Sequence, residues 1–422
     1  MSVSPSRRAP RERVRDLAPY AIAAMFAVLG AALALGRFPL PGGDSFGYAS
    51  WARNVVIAAL VAGLAGAPTL RWPPSPVGTA LLVYLAAAAL SVAANHGSWA
   101  DVRGLAVGVG MFLVAERLAA FPSGSRLLVD WLGAVTVAIV LRELVNDPFL
   151  VLVRESARTT LVTDHPNTLG YALALLAPIF LAAARSGPAR GRAALYAIAA
   201  VFGVVVTFSR AAWLAVAVSA IALAVARDES RGRFESRLGA AALGILLAIA
   251  VAIAVGQVSL GRGEADHQRL RIIEASLTLF REHWLVGLGF GTKNLEQLFP
   301  GRYIELFGES LFLFHSHNFY VDALAGTGLV GAAAAAWLVA RLAGLAVRAT
   351  RAPAAVPAEA VACVATIGTF LGIALVDMPF YHARLTILFA VALALLEHRV
   401  EESEGTTATA RPIARPRRDP VT

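Results

Sequence analysis

Residues 314–333 read FHSHNFYVDALAGTGLVGAA. Two histidines, a serine, an asparagine and a tyrosine lead into a run whose one charge is Asp322, and the run stays apolar through residue 340. A stretch of about 20 apolar residues is enough to cross a bilayer as a helix. The segment therefore predicts a membrane span that carries polar chemistry at its mouth. Its glycines Gly326, Gly328 and Gly331 predict tilt or a break in that span.

The same pattern recurs along the chain. Apolar residues make up 58% of the 422 and charged residues 15%, where a soluble domain would carry roughly a quarter charged. The fold class is therefore all-α: a polytopic bundle whose helices satisfy their own backbones and pack in lipid. About twelve spans are expected on hydropathy, near 17–35, 52–67, 76–94, 102–120, 127–145, 168–184, 193–208, 211–226, 238–256, 318–347, 357–376 and 384–398.

Charge gives the sidedness. The net charge is +9, and Lys293 is the single lysine. The arginines crowd into short loops such as LRWPP, ARSGPARGR and RATRAP, and into the tail RPIARPRR. That is the bias of cytoplasmic loops, and it argues against nucleic-acid binding. The alternation puts both termini inside. It divides the chain into a cytoplasmic arginine-rich N-terminus (1–16), spans one to nine (17–256), a mostly helical periplasmic loop (257–316), spans ten to twelve (317–398) and a cytoplasmic disordered tail (399–422). The N-terminus has the look of a signal peptide, but its long apolar part and the spans that follow favour a retained first helix. A single cysteine, Cys363, excludes an intrachain disulfide.

Polar residues collect at the outer ends of the spans. His165, His267, His283, His315 and His317 all lie on the two longest outer loops. In TDHPNTLG (163–170), Asp164, His165 and Asn167 stand ahead of a span, where helix capping accounts for them as well as a substrate role does. Arg210 in TFSRAAWL (207–214) sits at an outer hairpin. It either snorkels to the interface or offers a guanidinium to phosphate oxygens. Arg269 and Arg271 begin an outer helix on which Leu270, Ile273, Leu277 and Phe280 recur at helical spacing, followed by GLGFG (287–291), which has the composition of a phosphate-cradling loop. The HSH triplet has too few ligands for a usual zinc site. A neutral imidazole at His317 suits a general base near pH 7, and Asn318 suits the orientation of a hydroxyl.

Taken in order, TFSRAAWL, an arginine leading an amphipathic helix that ends in GLGFG, and SHNFYVDALAGTGLVG resemble the O-antigen ligase/polymerase superfamily over roughly residues 160–335. Members are multi-spanning glycosyltransferases of bacterial envelopes. The chain departs from the family pattern at Ile273, where an aromatic is usual, and at Trp284, where proline is frequent. The resemblance implies an inner-membrane enzyme that moves a glycan from undecaprenyl diphosphate to an acceptor hydroxyl at the periplasmic face. In that scheme His317 is the base and Arg210 and Arg269 hold the diphosphate. His315, Asn318, Arg271, Asp164 and Asn167 are supporting candidates. The reaction inverts at the anomeric carbon, and with two guanidinium groups on the leaving diphosphate it calls for no metal or other cofactor.

The expected activity is that of an O-antigen ligase acting on lipid A–core, with an O-antigen or exopolysaccharide polymerase as the alternative within the superfamily. A lipid-linked glycan flippase is the alternative from another class. A transporter should carry charge at mid-span, and Glu143 beside Arg142, near the end of span five, is the nearest such feature.

Overall fold

The computed structural model describes residues 74–121, 123–146, 166–186, 189–207, 209–225, 263–310, 316–351 and 357–409. Eleven α-helices and one short 3-10 turn lie among them, with no strand. In chain order the helices are α1 (Pro76–Ala94), α2 (Ala100–Ala119), α3 (Gly124–Asn146), α4 (Pro166–Ser186), α5 (Arg190–Val206), α6 (Arg210–Val225), α7 (Gly263–Glu282), α8 (Thr292–Phe307), α9 (Phe319–Arg351), α10 (Pro357–Ala374) and α11 (Ala383–Thr409); the 3-10 turn is Pro379–Tyr381.

Nine of the twelve expected spans fall on described residues, and a helix runs through each. Three helical stretches are long and apolar enough to cross a membrane: Pro76–Ala94, Asn167–Arg185 and Phe319–Arg351. The expected spans at 17–35, 52–67 and 238–256 lie outside the described residues, as do the N-terminal segment and the tail beyond Thr409. The last helix differs from expectation, because it continues through 399–409 where a disordered tail was expected. An ion pair to a neighbouring helix anchors that extension, Arg348 to Glu404 at 3.2 Å. A second pair, Arg399 to Glu359 at 2.8 Å, fixes its base.

Helix α4 is the centre of the bundle. Every residue from Thr168 to Phe180 is buried, against α5, α6, α10 and α11. Small residues let backbones approach, as membrane helices require. Gly203 of α5 faces Leu173 of α4, and Gly108 of α2 faces Thr386 of α11. Helix α1 begins at Ser75, whose hydroxyl accepts from the Gly78 amide at 3.1 Å with Pro76 just inside the helix, the usual start for such an element.

The bundle's two ends differ in chemistry. At one end Ser75 donates to Glu397 at 2.8 Å and its amide donates to Glu116 at 3.2 Å; the pairs Arg192–Asp130, Arg348–Glu404 and Arg399–Glu359 lie at the same end. At the other end the loop 95–99, the stretch 283–291, the turn 316–318 and the loop 375–382 meet one another. These four segments are ones that sequence alternation assigns to a single side.

Helices α7 and α8 form a hairpin with its own small core. Ile272, Ala275 and Leu279 pack with Leu295, Phe299 and Tyr303, and Ala325 of α9 completes the cluster. The buried stripe of α7 is thus Ile272, Ala275, Ser276 and Leu279. The stripe expected from spacing is displaced from it, since Leu270 is 61% exposed.

Helix α9 is broken. Gly328 has φ 63 and ψ −162 inside the 33-residue element, a conformation essentially confined to glycine. The break falls where the glycines predicted one.

Candidate active site

The stretch SHN (316–318) is a tight turn held from both sides. The Ser316 hydroxyl accepts from the Asn318 amide at 3.1 Å and donates to the Asn318 carbonyl at 2.8 Å. Asn318 caps α9, its Oδ1 accepting from the amides of Tyr320 and Val321 at 3.0 and 3.1 Å, which satisfies donors that a helix start leaves open. The Ser316 amide donates to Asp322 Oδ1 at 2.9 Å. Between these clamps His317 is forced to φ 51, an uncommon conformation for a residue with a Cβ. Its side chain remains partly exposed.

The turn faces a second loop. Asn318 Nδ2 donates to the Leu375 carbonyl at 3.1 Å, which ties the turn to the segment that leads to Asp377. Asp377 is buried, accepts from the Met378 amide at 2.8 Å and lies 3.9 Å from His382 Nε2. Burial pushes its carboxyl up. The His382 imidazole, the Met378 amide and the charge of His317 together outweigh that, and hold it below the ordinary carboxylate range. His317 and His382 therefore both lie within electrostatic reach of one carboxylate.

Tyr171 connects this group to the arginines. It is buried near the start of α4, within electrostatic reach of both Asp377 and Arg269. Its neighbour Gly170 abuts Thr207, Ser209 and Ala212, and that places the backbone of Arg210, the first residue of α6, beside the same end of α4. Arg269 is exposed on α7 and forms no ion pair or hydrogen bond among the described residues. Arg271 is engaged instead, paired with Glu309 at 2.9 Å and stacked 5.3 Å over Phe307. Asn167, partly exposed, begins the same helix end as Tyr171. Asp164 and His315 lie outside the described residues.

GLGFG has a different role from the phosphate loop its composition suggests. Its first three amides are already used: Gly287 donates to the His283 carbonyl at 2.8 Å, Leu288 to Ala325 at 3.0 Å and Gly289 to Gly326 at 2.8 Å. In return, Leu329 and Val330 donate to the carbonyls of Trp284 and Leu285 at 2.8 and 3.2 Å. The loop is thus laced backbone to backbone onto the break in α9. A side chain on Gly287 would strike the backbone of Gly326 and Thr327, and one on Gly328 the backbone of Leu285. Helix α1 closes the knot, with Ser91 Oγ 2.7 Å from the Gly326 carbonyl and Asn95 Nδ2 donating to the Gly287 carbonyl at 2.9 Å.

The hairpin is pinned once more at its far side. Asp101 Oδ2, from the first turn of α2, accepts from the Thr292 amide at 2.9 Å and so caps α8 from another helix. Asn294 Nδ2 donates to the carbonyls of Phe290 and Ser98 at 2.7 and 3.1 Å.

Sequence reading missed Asp377, His382, Tyr171 and Asp101. Asp377 and His382 sit within one short loop, DMPFYHA, and two titratable residues flanking a Pro-Phe pair were the signal available there. Tyr171 had none, being one aromatic in an apolar run.

None of the curated proteins compared with the chain matches it. A family model described as Wzy_C, O-antigen ligase, matches residues 195–336, about a third of the chain. The match begins later than the resemblance in the sequence and takes in Arg210, Arg269, GLGFG and His317. Over this segment, which supplies the arginine turn, the α7–α8 hairpin and the histidine turn, the chain is similar to the O-antigen ligase family.

Proposed function

We propose that the protein is an inverting glycosyltransferase that moves a glycan from undecaprenyl diphosphate to an acceptor hydroxyl at the periplasmic face of the bacterial inner membrane. The acceptor in this reading is lipid A–core, which makes the protein an O-antigen ligase. The carrying observation is the meeting of three segments distant in sequence. The His317 turn, Arg269 and the Arg210 turn approach one end of the bundle around Tyr171 and Asp377.

In this reading His317 takes the proton from the acceptor hydroxyl as its oxygen attacks the anomeric carbon, opposite the diphosphate. Arg210 and Arg269 hold the diphosphate and offset the charge that grows on it as it leaves. Asp377 stabilises the imidazolium that His317 becomes. Arg269 fits the anion-binding role better than Arg271, whose charge is already matched by Glu309.

The test is transfer by the purified protein in nanodiscs, with a labelled undecaprenyl-diphosphate glycan and lipid A–core. The expected result is a new glycolipid, with His317→Ala lowering the rate by about 10²–10⁴-fold. Full transfer by a normally folded His317→Ala protein would overturn the assignment. A strain lacking the protein separates ligase from polymerase: loss of a ligase leaves long lipid-linked chains unattached, whereas loss of a polymerase leaves single repeat units.

A further inference from the structure

Asp322 lies one helical turn inside α9, 1% exposed, and directs its Oδ1 back out of the helix to the Ser316 amide at 2.9 Å. Its other oxygen has no hydrogen-bond partner among the described residues. A buried carboxyl group with an unsatisfied oxygen is unfavourable for the fold, because nothing repays its removal from water. Tyr84, within electrostatic reach of it, is wholly buried, its hydroxyl without a partner among the described residues. The bond from the Ser316 amide to its carboxylate therefore accounts for the side chain's position.

That bond acts on His317. Ser316 and Asn318 flank the histidine, and each is fixed separately: the Ser316 amide donates to Asp322, and Asn318 Oδ1 accepts from the first amides of α9. Positive φ at a residue with a Cβ persists only where its surroundings over-determine it. Without the Asp322 acceptor the Ser316 amide is released, and His317 can relax toward negative φ and carry its imidazole away from the loop of Asp377. We propose that Asp322 is a positioning residue, which acts as a hydrogen-bond acceptor to hold the SHN turn and aim His317 at the acceptor hydroxyl. This rests on the functional reading above.

The role requires an acceptor oxygen and no negative charge, and that separates it from a chemical role. Asp322→Asn keeps an oxygen toward Ser316; Asp322→Ala removes it. In the nanodisc transfer assay Asp322→Ala should lower kcat by about 10²-fold, the scale of a small misplacement of a reacting group, with donor KM little changed. Asp322→Asn should keep at least a tenth of wild-type kcat, with the acid limb of its pH profile unmoved. Hydrogen exchange should find the Ser316 amide protected in wild type and Asp322→Asn, and fast in Asp322→Ala.

An Asp322→Asn protein as impaired as Asp322→Ala, or one with a displaced acid limb, overturns the proposal, as does an Asp322→Ala protein with wild-type kcat or a protected Ser316 amide. Should Asp322→Ala fail to fold, the kcat and acid limb of Asp322→Asn decide. His317→Ala run in parallel keeps the two readings apart. Retained transfer there overturns the base itself, while an inactive His317→Ala beside an unimpaired Asp322→Ala overturns only the positioning role.

Discussion

The amide of Gly289 donates to the carbonyl of Gly326 at 2.8 Å, so the loop that ends the α7 hairpin and the break in α9 are one structural unit. The same pairing fixes the distance between the element that carries Arg269 and the element that carries His317. Side-chain contacts alone would leave that distance softer.

Glycine is therefore required at the break but replaceable elsewhere on the same helix. Gly328→Ala would bring a Cβ into φ 63 and against the backbone of Leu285, at a cost of at least about 1–3 kcal/mol. Gly344→Ala, further along α9 with no atom of the described residues near its added Cβ, should be neutral or stabilising by about 0.5–1 kcal/mol. Thermal unfolding in detergent, followed by aggregation or tryptophan fluorescence, compares the two directly.

The two candidate arginines of α7 should separate in donor binding. Arg269→Gln removes an uncommitted cation, and loss of charge-assisted hydrogen bonds to a diphosphate should weaken donor Kd by about 10–100-fold. Arg271→Gln loses an exposed pair with Glu309 that water and salt screen, and should leave donor Kd within about twofold. Equal effects would remove the distinction between them.

Asp101 caps α8 from α2, so its effect should be local. Asp101→Ala leaves the Thr292 amide and hydroxyl without their acceptor, at a cost of about 0.5–2 kcal/mol. Faster amide exchange over 292–295, with unchanged exchange in α4, is the expected outcome. Uniform loss of protection through the bundle would contradict a local role.

Asp377 should carry a pH signature. Its carboxyl is held below the ordinary range despite burial, so it stabilises the folded protein above the unfolded carboxylate value of about 3.9 and loses that effect as pH falls through the lower folded value. Asp377→Asn should therefore melt below wild type at pH 7, and the gap should close as the pH is taken toward 3. A gap that stays constant with pH would place its effect in packing.

The helices and their alternation were legible because lipid imposes them: apolar runs of spanning length with arginine-rich loops leave few other readings. The break at Gly328 was legible for a related reason, since clustered glycines in a span carry a conformational meaning of their own. The partner of GLGFG was not. Its bonds join backbone atoms far apart in sequence, and such bonds leave no trace in residue type beyond the glycines that permit close approach. His317 stood out as a histidine at the mouth of a span, while Asp322 read only as the single charge of that run. Its purpose depends on a hydrogen bond that turns back toward residue 316. Asp377 and His382 were passed over for the opposite reason, being ordinary loop residues until folding brings Asp377 within electrostatic reach of His317 and sets His382 3.9 Å from Asp377.

The lacing between 284–289 and 325–330 leaves the outward surface of the α7 hairpin free to vary. Substitutions at exposed positions such as Leu270, Leu298 or Ile304 alter what the hairpin presents to an incoming molecule without loosening its attachment. That surface can therefore drift or be re-engineered while the backbone lacing beneath it stays in register.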